Sequence, residues 1–413
     1  MNPLVINGQR LQREIDELAT ISEAPAPVVT RILFSEADLR GRAFVKKICS
    51  SLSLKIRSDA VGNLFARWEG FDKKLPAIAT GSHIDAIPNA GRYDGVVGVL
   101  GALEAIRALQ SSGFKPRRAI ELIVFTAEEP TRFGIGCLGS RLLAGSLSLD
   151  KARALRDRDC KSLEHWRKRG GCNGRLNSVR LARNYYAGFV ELHIEQGPLL
   201  ERAKIPIGVV EKIAAPGTMH VELTGVGGHA GAMLMPDRHD AALAGAEIAL
   251  AVEQAAKTTG SRDTVGTTGV FRIEPGAVNS VPCHAWLEID LRDTQVKTRD
   301  LALRRIKKTA MQICKRRGVK LKFSVLNADA PAICDSGLVE LVAGVCQELR
   351  LPVKRMISRA YHDSLFMAQV CPITMIFIPC RGGVSHRPDE YSSLRQIKNG
   401  VAVLARTLAR LAG

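Results

Sequence analysis

Three histidines and four acids stand at the ends of apolar runs, where hydrolytic chemistry could use them. In GSHIDAIPNAGRYDG, His83 and Asp85 leave one such run, and Asp94 opens an apolar helical stretch. Imidazole nitrogen and carboxylate oxygen together make the donor set of a hydrolytic zinc or manganese site. Each residue also has a plainer reading: His83 as a hydrogen-bonded loop histidine, Asp94 as a helix N-cap, and Asp85 as the group that orients the His83 ring. Glu128 and Glu129 follow the run IELIVFTA. Two carboxylates side by side at the end of a buried strand repel each other and lose hydration, so they require a cation unless the strand has already reached solvent. Neighbouring strand residues face opposite sides, so the two acids can share a target only where the strand breaks; Pro130 suits such a break. In FVELHIEQG, His193 again sits beyond an apolar run, with Glu191, Glu195 and Gln196 close by. His386 follows IFIPCRGGVS, whose paired glycines allow a tight turn.

These residues need a common frame, and the pattern of the chain supplies one. The runs PAIATGSH, AIELIVFTAEE, GFVELHIEQG and PITMIFIPC each end in polar residues and alternate with helical stretches, the rhythm of an α/β sheet. Open parallel sheets bind ligands beyond the carboxyl ends of their strands, which is where this chemistry lies. Between about residues 214 and 329 the order changes to strand, helix, strand, strand, helix, strand, which suits a ferredoxin-like module. The expected organisation is a discontinuous domain of residues 1–213 and 330–413 with an inserted domain of residues 214–329. Hinges are expected near Ala215-Pro216 and Ala330-Pro331.

Composition narrows the class. A chain of 413 residues exceeds one hydrophobic core, and its 46% hydrophobic and 24% charged residues are those of an ordinary globular protein. The greasiest stretch, Val96 to Leu109, is interrupted by Glu104 and Arg107, so no membrane span is expected. The opening residues resemble an amphipathic helix and lack a secretory leader, so a cytoplasmic location is expected. Ten cysteines without a CxxC pair read as reduced, mostly buried thiols. The net charge of +18 concentrates in residues 151–183 and 297–317, where a solvated basic face is favoured over a nucleic-acid surface. Residues 151–186, rich in Arg, Gly and Cys, match no motif and are expected to form a mobile surface excursion.

The motifs GSHIDAIPNAGRYDG, TAEEPTRFG, ELHIEQGP, GGHAG, PGAVNSVP, EIDLRD, YHDS and GVSHRPDEY follow one another in this order. Together they resemble the amidase (hydantoinase/carbamoylase) branch of the carboxypeptidase-like zinc aminoacylase superfamily. That branch contains N-carbamoyl-L-amino-acid, allantoate and ureidoglycolate amidohydrolases, and ISRAYHDSLFMA and MIFIPCRGGVSHRPDEYSS look most like the last of these. The resemblance implies a mixed, mostly parallel α/β catalytic domain of zinc-exopeptidase type, carrying a ferredoxin-like lid that also forms a homodimer. It implies two divalent metal ions per subunit, zinc or manganese with cobalt or nickel as options. These would be held by His83, Asp94, Glu129, His193 and His386, with Asp94 bridging. Glu128 would be the general acid/base acting on a metal-bridging water, and Asp85 would be catalytic alongside it. Gln196, Asn279, Arg292 and His362 would contact substrate, Asp363 lying next to the last of them. His229 would reach the developing oxyanion from a partner subunit. Arg292 suits a carboxylate clamp, and its plainer reading is a salt bridge to Asp290 or Asp293. The implied reaction is hydrolysis of the C–N bond in a small carboxylate-bearing ureido compound, with release of ammonia. A dipeptidase or N-acyl-amino-acid hydrolase and a non-catalytic basic scaffold are the alternatives.

Overall fold

The computed structural model describes residues 4–413. Its contacts divide the chain into two units. One comprises the residues up to Glu211 with Ile333–Ser358 and His362–Gly413; the other comprises Lys212–Ala332 with Arg359–Tyr361.

The first unit is built on a nine-stranded sheet. The four apolar runs form its middle, side by side in the order Ile120–Phe125, Ile78–His83, Gly188–Ile194 and Ile373–Ile378, all parallel. Every residue in these strands is buried. Burial on both faces explains why the sequence reads as continuous apolar runs rather than as alternation. Antiparallel strands flank this centre: Leu64–Trp68 beside Ile120–Phe125, and Ile207–Ile213 beside Ile373–Ile378. Because the central strands run one way, their carboxyl ends share one edge of the sheet. The helix Val96–Ser111 packs on the strand Ile78–His83 and on the C-terminal helix Leu394–Ala412, and is buried nearly all round. The amphipathic opening helix spans Gly8–Thr20, buries Leu11, Ile15 and Leu18, and pairs Arg10 with the buried Glu104 at 2.8 Å. Among the described residues no helix is long and apolar enough to cross a membrane. All ten cysteines are unpaired, and eight are buried.

Residues 151–186 belong to the first unit; their Lys and Arg side chains are exposed, as expected of a solvated basic surface, except Arg167, and a few contacts anchor the segment. The buried Trp166 lies under the Arg132 guanidinium, 3.5 Å from ring centroid to Cζ, and its Nε1 donates to Asp157 at 2.6 Å. Arg167 donates to the carbonyls of Ala60 and Gly174, and the Tyr186 hydroxyl donates to the buried Glu121 at 2.5 Å. One aromatic anchor and a few long-range hydrogen bonds therefore hold a segment whose charges face solvent.

In the second unit, strands Val265–Glu274, His284–Asp293, Ala215–Thr224 and Lys320–Ala328 lie in that order, all antiparallel. With helices Ala241–Lys257 and Val296–Arg317 this is the ferredoxin-like arrangement. Alternate residues of the two central strands, including Met219, Val221, Leu287 and Ile289, form one core with Ile248, Val252, Ile306 and Ala310 of the helices. The basic side chains Arg304, Arg305, Lys307 and Lys308 stay exposed along the second helix.

Candidate metal centre

Asp94 is the hub of the site. The N-cap position of the helix Val96–Ser111 belongs to Gly95 and has no side-chain cap, so the capping reading of Asp94 fails. Instead its Oδ1 lies 3.2 Å from Nε2 of His193 and 3.6 Å from Nε2 of His83, while Oδ2 lies 3.4 Å from Nε2 of His386. Gln196 Nε2 and Ser385 Oγ donate to Oδ2 at 2.6 and 2.7 Å. Gly95 adopts φ +65°, and a Cβ there would come within 2.5 Å of the His83 ring, so only glycine lets the two loops approach this closely.

Both strand histidines are oriented by main-chain oxygens. His83 Nδ1 lies 3.0 Å from the Asp85 carbonyl, and His193 Nδ1 lies 2.9 Å from the Ile194 carbonyl. A proton on each Nδ1 leaves the Nε2 lone pairs facing the Asp94 carboxylate. Lone pair against anion is repulsive unless positive charge lies between them. The ionisation of the site expresses the same demand. Burial opposes the charged imidazole of His83, yet Glu128, Asp94 and Asp85 outweigh it and raise its pKa; burial likewise opposes His193, and its hydrogen bond to Asp94 prevails. Hydrogen bonds to Asp94 and Glu129 raise His386 to about 11. Burial works against ionised Asp94, but its three histidines hold its pKa well below the usual range. Protons here fill the role that divalent cations would fill, and the donor set fits such ions.

The adjacent acids are buried, Glu128 at 7% and Glu129 at 4% exposure, which removes the surface-acid alternative. The strand ends at Phe125, and the break comes at Ala127, with φ +51°, ahead of Pro130. The Asp85 carboxylate secures the broken turn by accepting the amides of Glu128 and Glu129, at 3.3 and 3.0 Å. Its side chain thus holds the acids, while its carbonyl holds the His83 ring. Glu129 Oε1 reaches His386 Nε2 at 3.2 Å, and Glu128 Oε2 lies 3.8 Å from His83 Nε2. Burial raises the Glu128 pKa well above the carboxylate range; His83 lowers it and Glu129 raises it further. His83, Asp94 and His193 bring one donor atom each within 4.8 Å of one another; so do Asp94, Glu129 and His386. Asp94 belongs to both groups.

One supporting acid, Glu390, was not singled out from the sequence. Glu390 accepts the amides of Tyr93 and Asp94 and lies 3.0 Å from the Ser385 hydroxyl, whose one proton goes to Asp94; burial, then the Asp94 charge, raise its pKa to about 7. Its only local sign was its place four residues after His386. Beneath His193, Glu191 accepts from Ser82 Oγ at 2.7 Å and Ser364 Oγ at 2.5 Å. The His362 ring lies 4.5 Å from that of His193, and Asp363 accepts from Ser140 Oγ at 2.5 Å.

Gln196, in a left-handed conformation, faces Asp94, and its buried Oε1 has no protein partner. The remaining expected contacts lie in the second unit. His229 is exposed on a short strand that pairs with Ser280–Val281, and Asn279 accepts the Ala230 amide at 2.8 Å, so these two residues are neighbours. Arg292 makes the salt bridge of its plainer reading: Nε and Nη2 grip the two oxygens of Asp290 at 2.7 and 2.9 Å.

The sequence model of peptidase family M20/M25/M40 matches residues 79–410. The chain belongs to this family. A ureidoglycolate hydrolase of Oryza sativa subsp. japonica is 52% identical to this M20 chain over 417 residues, covering 99% of the chain and 86% of the relative. An N-carbamoyl-L-amino acid amidohydrolase of Geobacillus stearothermophilus is 35% identical over 409 residues, covering 99% of each. The crystal structure of AtUAH in complex with (S)-hydroxyglycine superposes with a TM-score of 0.95 at 51% identity, over 99% of this chain and 98% of that one.

Proposed function

We propose that this M20-family hydrolase removes the carbamoyl group of ureidoglycolate, with N-carbamoyl-L-amino acids and allantoate as lesser candidates. The observation that carries the reading is Asp94, shared by two donor groups, with the buried Glu128 beside them. Identity of 52% to a ureidoglycolate hydrolase, against 35% to an N-carbamoyl-amino-acid enzyme, supports putting ureidoglycolate first. The ligand of a related structure agrees, because (S)-hydroxyglycine is what ureidoglycolate becomes when its carbamoyl group is lost. The dipeptidase and scaffold readings gain no support from these relatives.

His83, Asp94 and His193 would hold one divalent ion, and Asp94, Glu129 and His386 a second, of zinc or manganese type. Bound there, such ions supply Lewis acidity and a water acidic enough to ionise near neutral pH. Glu128 accepts a proton from the attacking water and delivers it to the leaving nitrogen. Water adds to the ureido carbon, the bond to the glycolate nitrogen breaks, and (S)-hydroxyglycine leaves with carbamic acid, which falls to carbon dioxide and ammonia. Asp85 keeps Glu128 in place through the main chain. The free Oε1 of Gln196 accepts a substrate N–H, and the Arg292 fork, now on Asp290, takes the substrate carboxylate. The inserted unit acts as lid and dimer interface, with His229 serving a partner subunit.

The test is ammonia release from ureidoglycolate, allantoate, N-carbamoyl amino acids and a dipeptide, before and after chelation and metal add-back. Ureidoglycolate is expected to be the best substrate, with activity lost on chelation and regained with metal. Glu128→Gln should lower kcat by about 10²–10⁴ at unchanged metal content. A protein that ignores every ureido acid, or that works equally well after chelation, overturns the reading.

A further inference from the structure

Arg359, Ala360 and Tyr361 belong with the second unit, although Ser358 and His362 on either side belong with the first. The chain therefore passes between units twice within five residues, besides the connections after Glu211 and Ala332. Within the second unit this short segment is held through Arg359 and Tyr361. Arg359 Nη2 donates to Asp263 Oδ1 at 2.5 Å, the Arg359 carbonyl accepts from Arg292 Nη1 at 3.4 Å, and the Arg292 guanidinium lies 5.2 Å from the Tyr361 ring centroid. Asp263 precedes the strand Val265–Glu274, whose Val265 is opposite Arg292 in the ladder. Within the first unit the flanking residues are held too. Ser358 Oγ lies 3.0 Å from His362 Nε2, the His362 ring packs on His193, and Ser364 binds the buried Glu191.

We propose that Arg359 and Asp263 form a positioning pair that, through this three-residue segment, fixes the Arg292 guanidinium against the Arg359 carbonyl and the Tyr361 ring. The inference rests on Arg292 being the carboxylate clamp. Three residues span at most about 11 Å and have little slack, so a shift at Arg359 passes to Tyr361, whose ring faces the Arg292 guanidinium. The pair itself is partly exposed, Arg359 at 40% and Asp263 at 21%, and such pairs add little to stability. Its loss should therefore show in catalysis rather than in folding, since misplacing a binding group by about 1 Å can cost on the order of 100-fold in rate.

The experiment uses the full-length, metal-loaded enzyme with ureidoglycolate. It compares Asp263→Asn, Asp263→Arg, Arg359→Asp and the charge-swapped double variant. Each single variant is expected to raise KM at least about tenfold with a smaller fall in kcat, at unchanged thermal midpoint and metal content, and the double variant to return KM to within about threefold of the starting enzyme. Single variants with normal KM, or a double variant no better than its parents, overturn the proposal. Hydrogen exchange of the peptide Ser358–Ser364 provides a readout independent of activity. It should quicken in the single variants and recover in the double. If the starting enzyme cleaves no ureido acid, the functional reading fails, while the exchange pattern still decides whether the pair holds the segment.

Discussion

A carboxylate facing three imidazoles is the residue-scale feature from which the chemistry follows, and Glu390 is where it can be probed without touching a proposed ligand. Its pKa rises from 4.5 to about 7 because it is buried close to Asp94. A carboxyl with a raised folded pKa contributes stability that is complete below about 4.5 and lost as pH climbs through about 7. Glutamine keeps an acceptor for the two amides and cannot ionise. In metal-free protein, Glu390→Gln should therefore be more stable than the parent above pH 7, by up to about 3 kcal/mol, and the difference should vanish toward pH 4.5. Urea titrations of both proteins across that range measure it; parallel pH profiles would show that Glu390 carries no such strain.

At the scale of elements, the turn after the strand Ile120–Phe125 is held from both sides. Asp85 accepts two of its amides, and Arg132, three residues past Glu129, is pinned by the Leu33 carbonyl at 2.6 Å and by Trp166. Trp166 is thus the pivot between the basic segment and the acid pair. Trp166→Ala should cost about 3–5 kcal/mol, as large buried aromatics do, and should open residues 151–186 to protease before the rest of the unit unfolds. Thermal melting and timed proteolysis test this, and a variant as resistant as the parent would mean the segment is held by other contacts. Composition correctly reported the exposed charges of this segment but carried no sign of the stacked indole that anchors it.

For the molecule as a whole, the proposal that His229 serves a partner subunit makes its own forecast. Subunits carrying His229→Ala and subunits carrying Glu128→Gln should each be inactive, and an exchanged equal mixture should regain up to about a quarter of the original activity, because only hybrid dimers hold one complete site. Subunit exchange without recovery would assign His229 to its own subunit or to no site.

Much of this protein could be read locally. Buried parallel strands announce themselves as uninterrupted apolar runs, the ferredoxin-like unit by its order of elements, and the donor residues by their place at strand exits. Those signals survive in one dimension because side-chain period and turn chemistry depend on near neighbours. Packing decided what local rules leave open: that Asp94 serves three histidines rather than a helix end, that the strand breaks at Ala127, that Asp85 holds two amides, and that Glu390 reaches the Asp94 amide across 296 positions. It also assigned Arg359–Tyr361 to a different unit from their neighbours. Each is a choice among hydrogen-bond partners distant in the chain, and only burial, which makes an unpartnered polar group costly, forces the choice.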